Sequence, residues 1–226
     1  MFIAPTMPML KKSTQEPEWK TDQSPSSYTY SVKEMEKRVS EIRLSKASEL
    51  IWLLEHPAIY TAGTNTQVDD LIDVHRFPVY RTGRGGQYTY HGPGQLVVYV
   101  MLDLSKHGRD LRSYVTNLEL WIITALAEFG VVGTQLTGKV GIWVERGNGR
   151  KDKIAAIGVR VRRWVTYHGF SINISPDLSH YDGIIPCGIS DPSLGITSLA
   201  DLGINITKKN MENSLRKSFK GTLLNN

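Results

Sequence analysis

Two side chains have types and neighbours suited to covalent chemistry. Cys187 is the single cysteine of the 226-residue chain and sits in Ile185-Pro186-Cys187-Gly188. A lone cysteine is usually an inert, buried small hydrophobe. Here Pro186 fixes the backbone that enters it and Gly188 removes a side chain beside it, and both features suit an exposed nucleophile. Lys153 opens the run Lys153-Ile154-Ala155-Ala156-Ile157-Gly158. A lysine at a strand edge is ordinarily solvated, yet the small, apolar, glycine-bearing residues behind it let a substrate lie close. If the two groups meet, the ammonium favours the thiolate, at about 1.4 kcal/mol per unit of thiol pKa. The neutral amine, once formed, is a general base.

The densest polar segment is Arg84-Gly85-Gly86-Gln87-Tyr88-Thr89-Tyr90-His91-Gly92-Pro93-Gly94-Gln95. Its glycines exceed what one turn needs and allow a ligand to approach the backbone. His168-Gly169, at a strand end, is a weaker signal. Two patterns mislead. Gly133 to Lys139 has phosphate-loop spacing, but Val140 stands where a magnesium-binding Ser or Thr is required, and the segment runs from helix to strand. Gly169-Phe170-Ser171-Ile172-Asn173 lacks the last glycine of a nucleophile elbow. The six histidines and one cysteine show no zinc-ligand spacing, so neither a metal nor another cofactor is expected.

The elements that must position these residues read as an α+β fold, a mixed or antiparallel sheet with flanking helices. Ser31 and Glu34 have capping-box spacing, and Val32, Met35, Val39 and Ile42 carry a helix to about Ala47. Glu49 to Glu55 reads as a buried strand and Gln95 to Leu104 as a central one. A long amphipathic helix runs from Leu111 to Phe129 and stops at Gly130. Strands follow at Val140 to Val144, Ile154 to Arg162 and Trp164 to Ile174, with a mobile polar loop over 145–152. Ser198 and Thr207 are candidate N-caps of two closing helices, and Met211, Leu215 and Phe219 share a face of the second. Residues 1–30, with Pro5, Pro8, Pro17 and Pro25, read as a flexible arm, and 31–226 as one catalytic domain.

Composition bounds the rest. With 40% hydrophobic and 22% charged residues the chain is an ordinary globular one. One cysteine excludes an intramolecular disulfide, and no apolar run reaches the ~18 residues of a membrane span. The net charge is +5, of which Lys208, Lys209, Arg216, Lys217 and Lys220 against Glu212 supply +4. That stripe suggests a docking surface for an acidic protein partner. Nucleic acid is disfavoured, because no aromatic-interleaved basic strand accompanies it.

The blocks Leu54-Glu55-His56-Pro57, Arg84 to Gln95, Gly141-Ile142-Trp143-Val144, Lys153 to Gly158, His168-Gly169, Pro186-Cys187-Gly188 and Thr197-Ser198-Leu199 together resemble the lipoyl(octanoyl) transferase family, over about Glu49 to Gly203. The resemblance implies the fold of lipoate and biotin protein ligases. It implies transfer of an octanoyl group from octanoyl-acyl carrier protein to the acceptor lysine of apo lipoyl domains, those of 2-oxoacid dehydrogenase E2 subunits and of the glycine cleavage H protein. By it, Cys187 is the thioester nucleophile and Lys153 lowers its pKa and shuttles protons. Arg84, Gly85, Gly86, Gln87, Tyr88, Thr89, Tyr90 and His91, then Ala156, Ile157 and Gly158, then Gly169, Phe170 and Ser171 line the acyl site. Ser171 stands where Ala is frequent and Tyr181 where Phe is common. Backbone N–H groups near Gly188 or Ala156 are candidates for an oxyanion hole. A cytoplasmic enzyme, with no nucleic-acid or membrane partner, is expected. The rival readings are an ATP-dependent lipoate or biotin ligase, or a non-catalytic acyl- or protein-binding module on the same fold.

Overall fold

The computed structural model describes residues 16–147, 149–186 and 191–223. Strand β1 (Glu18–Thr21) runs parallel to β2 (Leu50–Leu54), and helix α1 (Tyr28–Arg43) makes the crossover between them. Two further strands, β3 (Ile59–Ala62) and β4 (Val79–Arg81), pair parallel, and β5 (Tyr88–His91) closes this small second sheet antiparallel to β3. The large sheet continues from β2 through β6 (Gln95–Met101). Beyond helix α2 (Leu111–Ala127) it gains β7 (Thr134–Leu136), β8 (Lys139–Glu145), β9 (Lys151–Arg162) and β10 (Val165–Asn173), in the spatial order β1-β2-β6-β10-β9-β8-β7. Strand β11 (Leu194–Ile196) adds parallel to the start of β9, and helix α3 (Lys208–Thr222) follows.

The apolar run of β6 is explained by its central place. All seven residues are buried, with Leu96, Val98 and Val100 on one face and Val97, Tyr99 and Met101 on the other. On the first face α2 and α3 deliver Leu118, Trp121, Ile122, Leu215 and Phe219. On the second, α1 delivers Met35, Val39 and Ile42.

Several boundaries differ from the sequence reading. Ser27, not Ser31, caps α1: its hydroxyl accepts from the Tyr30 N–H, while Ser31 is buried inside the helix. The helix ends at Arg43 because Ser45 turns left-handed, with φ 55°. Ser198 caps one turn rather than a helix, since Gly203 at φ 78° stops it. Arg146 and Arg150 exchange a backbone bond across the 145–152 segment, which is therefore the tip of a β8–β9 hairpin, with Asn148 outside the described residues. Residues 18–30, given to a proline-bearing arm, are built into the fold as β1 and the start of α1. Thr207 does cap α3, with Asn210 completing the box.

Arg163 and Trp164 alone join β9 to β10, with φ 51° and 69°. Two-residue hairpin turns of this kind favour Asn-Gly; for bulkier side chains left-handed backbone costs about 1 kcal/mol or more per residue. Among the described residues no helix is long and apolar enough to cross a membrane.

Candidate active site

A cavity of about 550 Å³ lies between the β9–β10 hairpin and the segment that ends in β5. Arg84, Gly85, Gly86, Gln87, Thr89 and His91 line it from one side. Lys153, Ala156, Ile157, Gly158, His168, Gly169, Phe170 and Ser171 line it from the other. Tyr88 and Tyr90 do not. In a strand successive side chains alternate, so Thr89 and His91 face the cavity while both tyrosines turn into a separate cluster with Tyr60, Ala62 and Tyr181. Cys187 lies outside the described residues.

Arg84 holds its loop together. Its guanidinium donates to Gly85 O at 2.9 Å, Thr61 O at 2.8 Å, Thr61 Oγ1 at 2.7 Å and Gln87 O at 3.0 Å. A Cβ on Gly158 would sit 2.8 Å from Arg84 Cδ, which is why a glycine stands there.

Lys153 reaches the cavity through a β-bulge. Ala156 and Gly158 face the cavity, so unbroken alternation would put residue 154 there and bury Lys153 in the core. Instead Ile142 pairs with Ala155 and Trp143 with Lys153, leaving Ile154 as the extra residue. Ile154 and Ala155 both enter the core, and the side-chain order inverts at Lys153. Lys153 is 5% exposed, with Nζ 4.7 Å from the centre of the Trp143 ring, and no described carboxylate pairs with it. Gly141 makes room: at φ 122° it adopts backbone open to glycine, and a Cβ there would meet Ala155 O at 2.7 Å and Lys153 Cε at 3.3 Å.

Beyond the bulge the sheet splits. The Gly141 N–H donates to Glu119 Oε1 of α2 at 3.2 Å instead of to β9, and Gln135 Nε2 holds the other oxygen at 2.7 Å. Burial raises the Glu119 pKa, opposed by these two bonds. With β8 drawn aside, the outward edge of β9 is open at Ile157. The Gly85 N–H takes Val159 O at 3.0 Å, which fixes the sense of alternation. Ile157 therefore points its N–H and C=O into the opening, whereas Ala156 points its own at β10, where it pairs with Ser171. Ala156 is thus not a free oxyanion donor; Ile157 is the residue with the right orientation.

Three neutral histidines surround the inner wall, and sequence reasoning assigned no role to His56. His56 Nδ1 donates to Ser26 O at 2.7 Å, so its Nε2 accepts from the Tyr99 hydroxyl at 2.7 Å. Gln95 Nε2 is committed to Tyr90 O, Asn173 Oδ1 and the Tyr181 hydroxyl. Its Oε1 therefore accepts from His91 Nδ1 at 2.6 Å, and His91 Nε2 is left as an acceptor. Burial pushes the pKa of His56 down to about 4 and those of His91 and His168 down to about 3, assisted for His91 by His56 and for His168 by Arg84. The same network explains Tyr181: its hydroxyl is used by Gln95 and by Asn173 Oδ1 at 3.2 Å.

Pro186, the residue before Cys187, lines a second cavity of about 10 Å³ with Thr89, Lys153, Ala156 and Ser171. The four named with it also line the large cavity, so Pro186 stands at its Lys153 end. The end of the false phosphate loop, Gly138 and Lys139, with Val140 after it, lies at the tight turn between β7 and β8 and borders the large cavity without opening a helix.

The model of the lipoyl protein ligase A/B catalytic domain matches residues 27–220. An octanoyltransferase of Paramagnetospirillum magneticum is 57% identical over 202 residues, 89% of this chain and 94% of that one. One of Rhodospirillum rubrum is 56% identical over the same length, 89% and 93%. Among solved structures, an archaeal lipoylation system from Thermoplasma acidophilum, a bi-partite lipoate protein ligase with its E2 lipoyl domain, superposes with a TM-score of 0.68. That match covers 92% of this chain and 84% of the other at 15% identity, and it establishes the fold.

Proposed function

Because the chain belongs to the octanoyltransferase family of lipoyl protein ligase A/B catalytic domains, we propose that it moves an octanoyl group from octanoyl-acyl carrier protein to the acceptor lysine of apo lipoyl domains, through a thioester on Cys187. The observation that carries this reading is the bulge that turns a buried amine, Lys153, into a cavity bordered by Pro186, the neighbour of the one cysteine. The cavity's ~550 Å³ suits a small acyl ligand. Six buried methylenes of an octanoyl chain contribute about 5 kcal/mol at ~0.8 each.

The chemistry runs in two steps. The Cys187 thiol gives its proton to Lys153, and the thiolate attacks the donor's thioester carbon. The carbon–sulfur bond to the carrier breaks, and the leaving thiolate takes the proton back from the Lys153 ammonium. The acceptor lysine, as neutral amine, then attacks the Cys187 thioester. An amide bond forms, the Cys187 sulfur leaves, and Lys153 relays the amine's proton to it. The Ile157 N–H faces the cavity as a donor to the tetrahedral oxyanion of either step. Neither a metal nor a nucleotide enters. Since the acceptor must be uncharged to attack, the rate of the second step rises with pH.

Incubation with octanoyl-acyl carrier protein in the absence of ATP, followed by intact mass and peptide mapping, tests this. One octanoyl adduct on Cys187, discharged by an apo lipoyl domain and absent from Cys187→Ser, is expected. Transfer that needs ATP and free octanoate, or that survives in Cys187→Ser, overturns the thioester route.

A further inference from the structure

Three of the five cations on the basic C-terminal helix are already held in ion pairs. There Lys208 donates to Asp22 O, Lys209 pairs with Glu212, Lys217 with Glu128 and Lys220 with Glu16, while Arg216 lies over Trp19. At the tip of the β9–β10 hairpin the opposite holds. Arg160, Arg162 and Arg163 are exposed, as are Lys106 and Arg109 on the adjoining loop, and among the described residues none forms an ion pair. The loop is fastened to the tip by the Leu104 N–H to Trp164 O at 2.7 Å, and Arg109 lies 5.8 Å from the Trp164 ring. The loop's acidic residues, Asp103 and Asp110, are engaged by Ser105 and Ser113. Trp164 stands 40% exposed among these cations.

We propose that this hairpin tip is the docking surface for an acidic carrier protein whose acyl arm enters the cavity. The proposal rests on the transfer reading given above. The patch is continuous with the site: Gly158 and Val159 line the cavity, and the next residue, Arg160, packs its guanidinium against Gly83 at the root of the Arg84 loop. Arg163 follows Val159 by four residues, about 13 Å at strand rise. An exposed Trp ringed by Arg is the composition of a protein-binding hot spot, and unpaired cations at its rim speed encounter with an acidic partner. The turn carries its own sign of use. Arg163 and Trp164 occupy left-handed positions that Asn and Gly fill with less strain, so the pair is kept against backbone preference.

Steady-state transfer to an apo lipoyl domain, with octanoyl-acyl carrier protein and with the small donor octanoyl-pantetheine, tests the surface. The double variant Arg162→Glu/Arg163→Glu should raise the carrier-donor KM at least tenfold at low ionic strength and flatten its salt dependence, leaving the small-donor KM unchanged. Arg163→Asn/Trp164→Gly should raise Tm while raising the carrier KM severalfold, which separates docking from folding. Lys217→Gln on α3 should leave the carrier KM where it was. A carrier KM unmoved by both hairpin variants, or an equal rise for both donors, overturns the docking surface. A wild-type chain that accepts octanoyl from neither donor overturns the transfer reading instead.

Discussion

A proton placed on His56, His91 or His168 would put a charge among buried neighbours, and the fold resists it. Their pKa values fall from the ordinary 6.5 to about 4, 3 and 3. The unfolded chain takes these protons below pH 6.5 and the folded chain does not. Stability is therefore whole above that pH and is lost as pH falls toward 4. Between pH 7 and 5.5 the three together remove about 4 kcal/mol. Urea midpoints at the two pH values check this, and equal midpoints would refute it. His168→Asn, which tolerates the φ of 60° found there, should remove about a third of the drop. At this scale the sequence was informative about residue types. Lys153 stood out for the small, glycine-bearing apolar run behind it, and the Arg84 segment for glycines in excess of what one turn needs. It was silent about His56, whose partners Ser26 and Tyr99 lie 30 and 43 residues away. It did not separate Tyr88 and Tyr90, which turn into the tyrosine cluster, from Thr89 and His91, because the segment shows no strand alternation at the level of sequence.

Strands and helices were legible where one face is apolar and invisible where a carbonyl decides. β6 could be read from its unbroken apolar run and α2 from its hydrophobic period. The bulge could not: Ile154-Ala155-Ala156-Ile157 reads as one continuous apolar run, with nothing to mark the inversion at Lys153. Nor does the pattern tell that Glu119 supplies the acceptor that β9 would otherwise give Gly141. That arrangement makes a prediction for the element. Gly141→Ala should lower kcat at least tenfold with the small-donor KM nearly unchanged, because the new Cβ meets Ala155 O and the Lys153 stem. Glu119→Leu should do likewise, by leaving the Gly141 N–H without its acceptor. Glu119→Gln keeps an acceptor and should restore most of kcat. Equal losses in Gln and Leu would show that Glu119 serves overall stability rather than the placing of Lys153.

Across the whole molecule, the α+β class and the boundary of α3 followed from sequence, but the early segment did not. Glu18–Thr21 is short and polar, and it becomes a strand only because the edge of β2 and the side chains of α2 and α3 receive it. Trp19 meets Trp121 and Phe219 edge-on, at 6.1 and 5.3 Å between ring centres. Trp19→Ala should therefore cost about 3 kcal/mol, the low end for a large aromatic because Trp19 is only partly buried. Denaturant melts of the variant check this; a loss under about 0.5 kcal/mol would mean that β1 is a loose appendage. Lys208 to Asp22 O and Lys220 to Glu16 add to the same clasp between early and late segments. During synthesis, which proceeds from the N-terminus, β1 is made first, meets Trp121 later, and gains its last aromatic partner only after Phe219 has cleared the ribosome. The strand that covers the edge of β2 is thus among the last to be fastened, and until then that edge is a place where a second nascent chain can add in error.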